Sequence, residues 1–294
     1  MDSFLITDIR IFDGEQVLES GSVLVRDGTM AQVSANGPID FNGPTISKPG
    51  HTLIPGLIDA HVHVEPGHES GLAQSLRFGV TTMCDLGNAP FQLKRLRECA
   101  EEGDCSDRFG INISKHVKPL ETEDDARAYV DDRITQDVDY IKLIHESGSS
   151  YGMKLPTLSP AVEKAIVAKA HEAGLPVLAH AMTVKDTLAV LEASVDGTAH
   201  TILDRSPTAE LIAAYKKNNA FCNPTLALIA SATEEGRQMQ ERYAHDPRAR
   251  ELLGQVEKDQ MCQCLSLAKD AGGKLEHAVE TVKALKAAGI DILW

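Results

Sequence analysis

From residue 51 onward, short apolar runs alternate with stretches of helical periodicity, and few architectures accept that rhythm. The runs are "HTLIPGLIDAHVHV" (51–64), "GVTTMCDL" (79–86), "FGINISKHV" (109–117), "VDYIKLIH" (138–145), "LPVLAHA" (175–181), "VDGTAHTIL" (195–203), "NAFCNPTLALI" (219–229) and "GIDILW" (289–294). Runs this apolar suit strands buried on both faces. Between them lie helix signals. "SPAVEKAIVAKAHEAG" offers Ser159 as N-cap, Pro160 at the first helical position and Gly174 as the stop, with Val162, Ile166, Ala170 and Ala173 as its apolar stripe. "TEDDARAYVDDRI" opens on Thr122 with acids in the first turn, and "SPTAELIAAYKKNN" opens on Ser206 and Pro207. Strands that alternate with helices are parallel and joined by right-handed crossovers. Eight such units predict an α/β chain with a (β/α)8 TIM-type barrel, a fold of typically about 250 residues. A doubly wound open sheet is the alternative, but no Gly-rich phosphate loop follows the first strand.

Residues 1–54 read differently. "FLITDIRIFDG" and "GSVLVRDGTMAQVSANG" alternate apolar and polar residues and are punctuated by Asp-Gly and Asn-Gly turns. They predict the N-terminal part of a small antiparallel, β-sandwich-like domain, with the barrel occupying 55–294.

Polar residues interrupt the buried strands at matching places. His61 and His63 end the first strand and, one residue apart, face the same way. Lys142 lies near the end of the fourth strand, His180 ends the fifth and His200 lies near the end of the sixth. In a barrel these ends share one face, where active sites sit. Such histidines are better read as converging metal ligands than as separately satisfied core residues. Asp85, ending the second strand, suits a hydrogen-bonding partner for a ligand histidine. His116 and His68 are candidates for substrate contact. His145 and Tyr151, after the fourth strand, are candidates for binding a substrate carboxylate or oxyanion. His51, His171, His245 and His277 read as structural or solvent-facing.

In order, "IPGLIDAHVHV", "FGVTTMCDLGN", "YIKL", "VLAHA" and "AHTIL" resemble the amidohydrolase superfamily, nearest its imidazolonepropionase-like and prolidase-related zinc dipeptidase branch. The resemblance implies a metal-dependent hydrolase of C–N bonds in an amide, dipeptide or cyclic amide. It implies two divalent ions, zinc by preference, one on His61 and His63 and one on His180 and His200. It also implies that Lys142, carboxylated by CO2, bridges them. The superfamily's general base is an aspartate just after strand eight. Here "KAAGIDILW" runs to Trp294, and Asp291 lies at the start of that strand. The chain is therefore expected to be a shortened form lacking its last helix, with impaired turnover. The competing expectation is an inactive relative that serves as a binding or assembly protein.

Composition narrows the partners. The net charge of −14 disfavours nucleic acid and anionic lipid, and leaves a small-molecule substrate. No apolar run is long enough to span a bilayer, and "MDSFLITDIRIFDGE" does not read as a secretory signal. The six cysteines show no regular framework and read as reduced thiols of a cytoplasmic protein. The pair in "CQC" at 262–264 reads as surface or packing cysteines rather than soft-metal ligands. Unpaired edge strands in the small domain leave room for a homo-oligomer.

Overall fold

The structure, a computed structural model, describes residues 3–293 apart from 36, 38, 65–69, 88–93, 95, 96, 99–119, 250 and 269. The chain divides into two compact units, Met1–Leu57 and Ile58–Trp294.

The first unit is built on one five-stranded sheet. β1 (Phe4–Phe12) pairs antiparallel with β2 (Val17–Arg26), and β2 with β3 (Thr29–Ser34). The turn between β2 and β3 is Asp27-Gly28, both at positive φ (50° and 76°), as a type I′ hairpin requires. The sheet is mixed rather than wholly antiparallel, which corrects the expectation. β4 (Thr45–Ser47) and β5 (Thr52–Leu53) return along the free edge of β1 and pair parallel with it. The register of β1 against β2 shifts between Ile6 and Ile9, around Asp8 at φ 56°. This irregularity lets β1 feed two apolar clusters, Leu5 with Leu24 and Ile39, and Ile9 and Ile11 with Val23.

In the second unit β6 (Leu57–Val62) pairs with β7 (Val80–Asp85). β8 (Ile141–Ile144), β9 (Val177–His180), β10 (Gly197–Ala199) and β11 (Phe221–Asn223) form a parallel sheet in sequence order. A parallel bridge from Cys222 to Ile292 adds the next rung. The helices between these strands include α2 (Glu123–Ile134), α3 (Pro160–Glu172), α4 (Val184–Glu192) and α5 (Ala209–Asn218). A doubly wound sheet reverses its strand order at a switch point. β8 to β11 run on without reversal, as a TIM-type barrel requires. The expected strand at 109–117 lies outside the described residues.

Local signals explain most of these elements. Thr122 and Asp125 form a reciprocal capping box on α2. Ser159 caps α3, with Pro160 first in the helix and Gly174 left-handed beyond its end. The α3 stripe of Val162, Ile166 and Ala170 is buried against Val177 and Ala179, but Ala173 is exposed, because the helix has already ended. α5 starts later than Ser206-Pro207 predicts, since Thr208 supplies the capping hydroxyl to Leu211 N. The run 219–229 is not one strand. Pro224 has no N–H to continue a ladder, and Thr225 turns left-handed (φ 45°) into α6 (Leu226–Ala232). Further on come α7 (Arg237–Ala244), α8 (Gln255–Met261) and α9 (Leu275–Ala287); a helix α1 (Ser70–Arg77) precedes β7. Among the described residues no helix is long and apolar enough to cross a membrane.

Candidate metal centre

The C-terminal ends of β6, β9 and β10 bring four imidazoles together. Strand alternation puts His61 and His63 on one side of β6, and their Nε2 atoms lie 3.2 Å apart. The His61 ring centroid lies 4.7 Å from that of His200, and the His200 centroid lies 4.6 Å from that of His180. Lys142, in β8, is near enough that its charge acts on both His61 and His200.

Burial sets the electrostatics. It pulls the His61 pKa down to about 3, aided by Lys142, His63 and His180. It holds His200 well below the usual imidazole range, with His180, His61, Lys142 and His63 adding to the effect. It also lowers the Lys142 amine to about 8. His61 and His200 are therefore held neutral, the form that ligates metal.

One distance in this donor set fits a metal ion: the 3.2 Å between the His61 and His63 Nε2 atoms matches a coordination edge. Two nitrogens bound at 2.0–2.1 Å to one tetrahedral zinc stand about 3.3 Å apart. His61 Nδ1, the other nitrogen of that ring, is buried and has no hydrogen-bond partner, a defect that costs about 1–3 kcal/mol.

The surrounding residues hold these rings in place. His180 Nε2 lies 3.1 Å from Glu146 Oε2. Glu146 also accepts from Gly148 N (2.6 Å) and Ser150 Oγ (2.9 Å). Burial would raise the Glu146 pKa, but these hydrogen bonds and that with His180 outweigh it and hold it low. His200 adopts φ 80°, donates its backbone N–H to Asn223 O at 2.7 Å, and places Nδ1 2.6 Å from Thr225 Oγ1. Two non-glycine residues in left-handed conformation, bonded to each other, mark strain concentrated at a site. The Asn223 amide donates to Ala60 O at 2.8 Å, which fixes the strand just before His61. Asp85 accepts from Val64 N and Gly87 N, both at 3.1 Å. It thus holds the backbone directly after His63 and the glycine on which that ring rests. A Cβ on Gly87 would meet His63 Nδ1 at 2.2 Å, so only glycine leaves room. Gly87→Ala is expected to displace His63 and weaken metal binding about 10–100-fold, as losing an outer partner does, measured by competition against a chelating dye. Unchanged affinity would show that His63 is not a ligand.

The remaining predicted residues are placed elsewhere. His145 is buried, with Nδ1 2.6 Å from Glu163 Oε1 and Nε2 3.6 Å from Asp186 Oδ1. The Tyr151 hydroxyl lies 3.2 Å from Met182 Sδ, and the ring packs against the apolar cluster of Met182, Leu203 and Ile229. His68 and His116 lie outside the described residues. Sequence reasoning missed Gly87, Glu146, Asn223 and Thr225. Asn223-Pro224-Thr225 after an apolar run was the readable signal, because a polar residue and a strand-breaking proline mark a strand end.

Comparison with known proteins places this geometry in context. Residues 52–254 match the sequence model of the Amidohydrolase family. A dihydroorotase from Bacillus cereus (strain AH187) is 34% identical over 93 residues, 29% of this chain and 22% of its own length. The aligned segment is thus less than a quarter of that curated relative. A Xaa-Pro dipeptidase with methionine bound in its active site superposes with TM-score 0.67 at 17% identity, over 99% of this chain and 78% of that one. A prolidase complexed with N-methylphosphonate-L-proline gives TM-score 0.69 at 18% identity, over 99% and 77%. At such identities these superpositions speak for the fold.

Proposed function

The chain belongs to the amidohydrolase family, and on that premise we propose that it is a metal-dependent hydrolase of carbon–nitrogen bonds. The observation that carries this reading is the gathering of His61, His63, His180 and His200 beside Lys142, with the His61 and His63 Nε2 atoms 3.2 Å apart. In this reading the parallel strands of the second unit close into a (β/α)8 barrel, and the first unit is its small β domain. His61 and His63 hold one divalent ion, and His180 and His200 hold a second. When bound, such ions, zinc by preference, supply hydroxide near neutral pH and polarise a carbonyl.

The chain's own residues supply the rest. Glu146 orients His180, and Thr225 orients His200. Asp85 positions His63 through the backbone. A carbamate forms when a neutral amine attacks CO2 and releases a proton. The Lys142 pKa of about 8 keeps part of the amine in that neutral form near neutrality. The product, an anion joined to Nζ, turns a repulsive cation among imidazoles into a ligand. The substrate is a small amide. The activities of the relatives frame the choice between a cyclic amide, as for the dihydroorotase, and an imidopeptide, as for the Xaa-Pro dipeptidase. With a charge of −14, the protein works on small molecules rather than on nucleic acid or anionic membrane.

The test combines mass and turnover. In bicarbonate buffer with zinc, native mass spectrometry is expected to show one added CO2 that Lys142→Ala cannot carry. A panel of dipeptides, N-acyl amino acids and cyclic amides is expected to yield turnover that a chelator abolishes. A zinc-loaded protein whose Lys142 stays a bare ammonium would overturn the carbamate. Turnover indifferent to chelation would overturn the metal-dependent reading.

A further inference from the structure

A second group of ligating side chains is gathered on the surface of the C-terminal helices. Glu241 lies in α7, and His245, four residues on, is the C-cap of that helix. Cys262 is the C-cap of α8. One ligand atom from each of the three lies within 4.8 Å of the others. Cys262 Sγ is 3.4 Å from Glu241 Oε2, and His245 Nδ1 is 3.7 Å from the same oxygen.

The neighbouring contacts make this a held arrangement. Gln240, next to Glu241, donates from Nε2 to the carbonyls of Met261 and Gln263, both at 3.0 Å. Its Oε1 accepts from Cys264 Sγ at 3.1 Å. One side chain thus clamps the segment on either side of Cys262 onto α7. The His245 ring is also oriented, with Nδ1 2.9 Å from the Glu241 carbonyl oxygen.

We propose that Glu241, His245 and Cys262 form a separate site for a borderline-soft divalent cation, zinc by preference. The donor set decides the class, because a thiolate and an imidazole select zinc or cobalt over magnesium and calcium. The charges also balance. On binding, the Cys262 thiol releases its proton to solvent, and the thiolate and the Glu241 carboxylate together offset the two positive charges of the ion. Three protein ligands leave the fourth tetrahedral position to water. Occupied, the site ties α8 to α7. It shares no residue with the barrel-end histidines, and it stands whether or not they bind metal.

Cobalt(II) titration of the 294-residue chain under reducing conditions tests the proposal. A cobalt–thiolate charge-transfer band in the near ultraviolet reads this site alone, because the barrel-end donors include no sulfur. The band is expected to saturate at one cobalt per chain and to be displaced by zinc. Cys262→Ser is expected to abolish it, and His245→Ala to weaken cobalt binding by roughly tenfold or more, about 1.4 kcal/mol. Cys264→Ser and the His61→Ala/His180→Ala pair are expected to keep it. The proposal is overturned by no band in the wild type, by a band that survives Cys262→Ser, by unchanged affinity in His245→Ala, or by loss of the band in either control.

Discussion

Replacing His61 and His180 with alanine together is expected to strip the barrel-end site of metal, lowering its affinity for zinc by more than about 10²-fold. Even outer partners of a metal ligand are worth 10–100-fold, and these are the ligands themselves. Elemental analysis after desalting reads the loss, and the surface thiolate site, if loaded, is counted separately by its cobalt band. Stability supplies an independent sign. Metal at a hundred times its Kd stabilises the native state by about 2.7 kcal/mol, so zinc is expected to raise the Tm of the wild type and not of the double variant. In chelator the variant sheds the partnerless His61 nitrogen but also loses the His180–Glu146 hydrogen bond, so the zinc-induced rise in Tm, rather than the Tm in chelator, reads the site. A double variant that holds as much barrel metal as the wild type would remove the basis for the hydrolase reading.

The largest stability effect is expected at His145. Its ring is buried between Glu163 and Asp186, and the hydrogen bonds it donates to Asp186 and Glu163 raise its pKa to about 9. The histidine is therefore charged at neutral pH and compensates two buried acids. Against the burial that would raise it, hydrogen bonds from His145, Ser147 and Thr183 hold Asp186 low. His145→Ala leaves the acids facing each other without a cation, a loss of about 3–5 kcal/mol. In a unit of this size that lowers Tm by about 10 °C. The pH dependence carries a definite sign. The folded value lies above the unfolded 6.5, so the contribution is complete below pH 6.5 and fades as pH rises toward about 9. Over that interval it amounts to about 3 kcal/mol. Asp186 acts in the opposite sense, stabilising above its unfolded 3.8 and losing that contribution in acid. Denaturant melts from pH 5 to pH 9 are expected to show stability falling with pH in the wild type and a flatter profile in His145→Ala. Parallel profiles would mean that His145 is neutral in the fold.

His145 also shows where sequence reading stops. Its position after an apolar strand looks the same as that of His180, yet one ring meets acids and the other joins the imidazole cluster. Alternation explains the difference only once the strand is placed, because Lys142 and His145 fall on opposite faces of β8 and its extension. The pairing of His145 with Glu163 and Asp186 depends on α3 and α4 docking, and no local pattern encodes that contact. By contrast, the parallel order of β8 to β11 and the caps at Thr122 and Ser159 follow from periodicity and side-chain chemistry, and they were legible. The break at Pro224 was legible in principle. Its consequence, a left-handed threonine holding His200, was not, because it depends on backbone strain accepted for the sake of the site. The return of β4 and β5 along β1 was hidden for a related reason, since short exposed strands carry almost no apolar signal.

The hydrogen bond from Asn223 to Ala60 joins residues 163 positions apart, and it has a bearing on how the protein is made. As the chain leaves the ribosome, His61 and His63 emerge early, without the strand that will anchor them. Their partners His180 and His200 follow much later, and Asn223 later still. The histidine cluster therefore cannot assemble from any early segment. It appears only when the two ends of a long parallel run meet, a closure that is slow because its contacts are distant in sequence. A nascent or misfolded chain exposes separate imidazoles with weak affinity, and only the finished fold gathers them. In the proposed reading, metal would be acquired once, at the end of folding, and its retention would mark a finished chain.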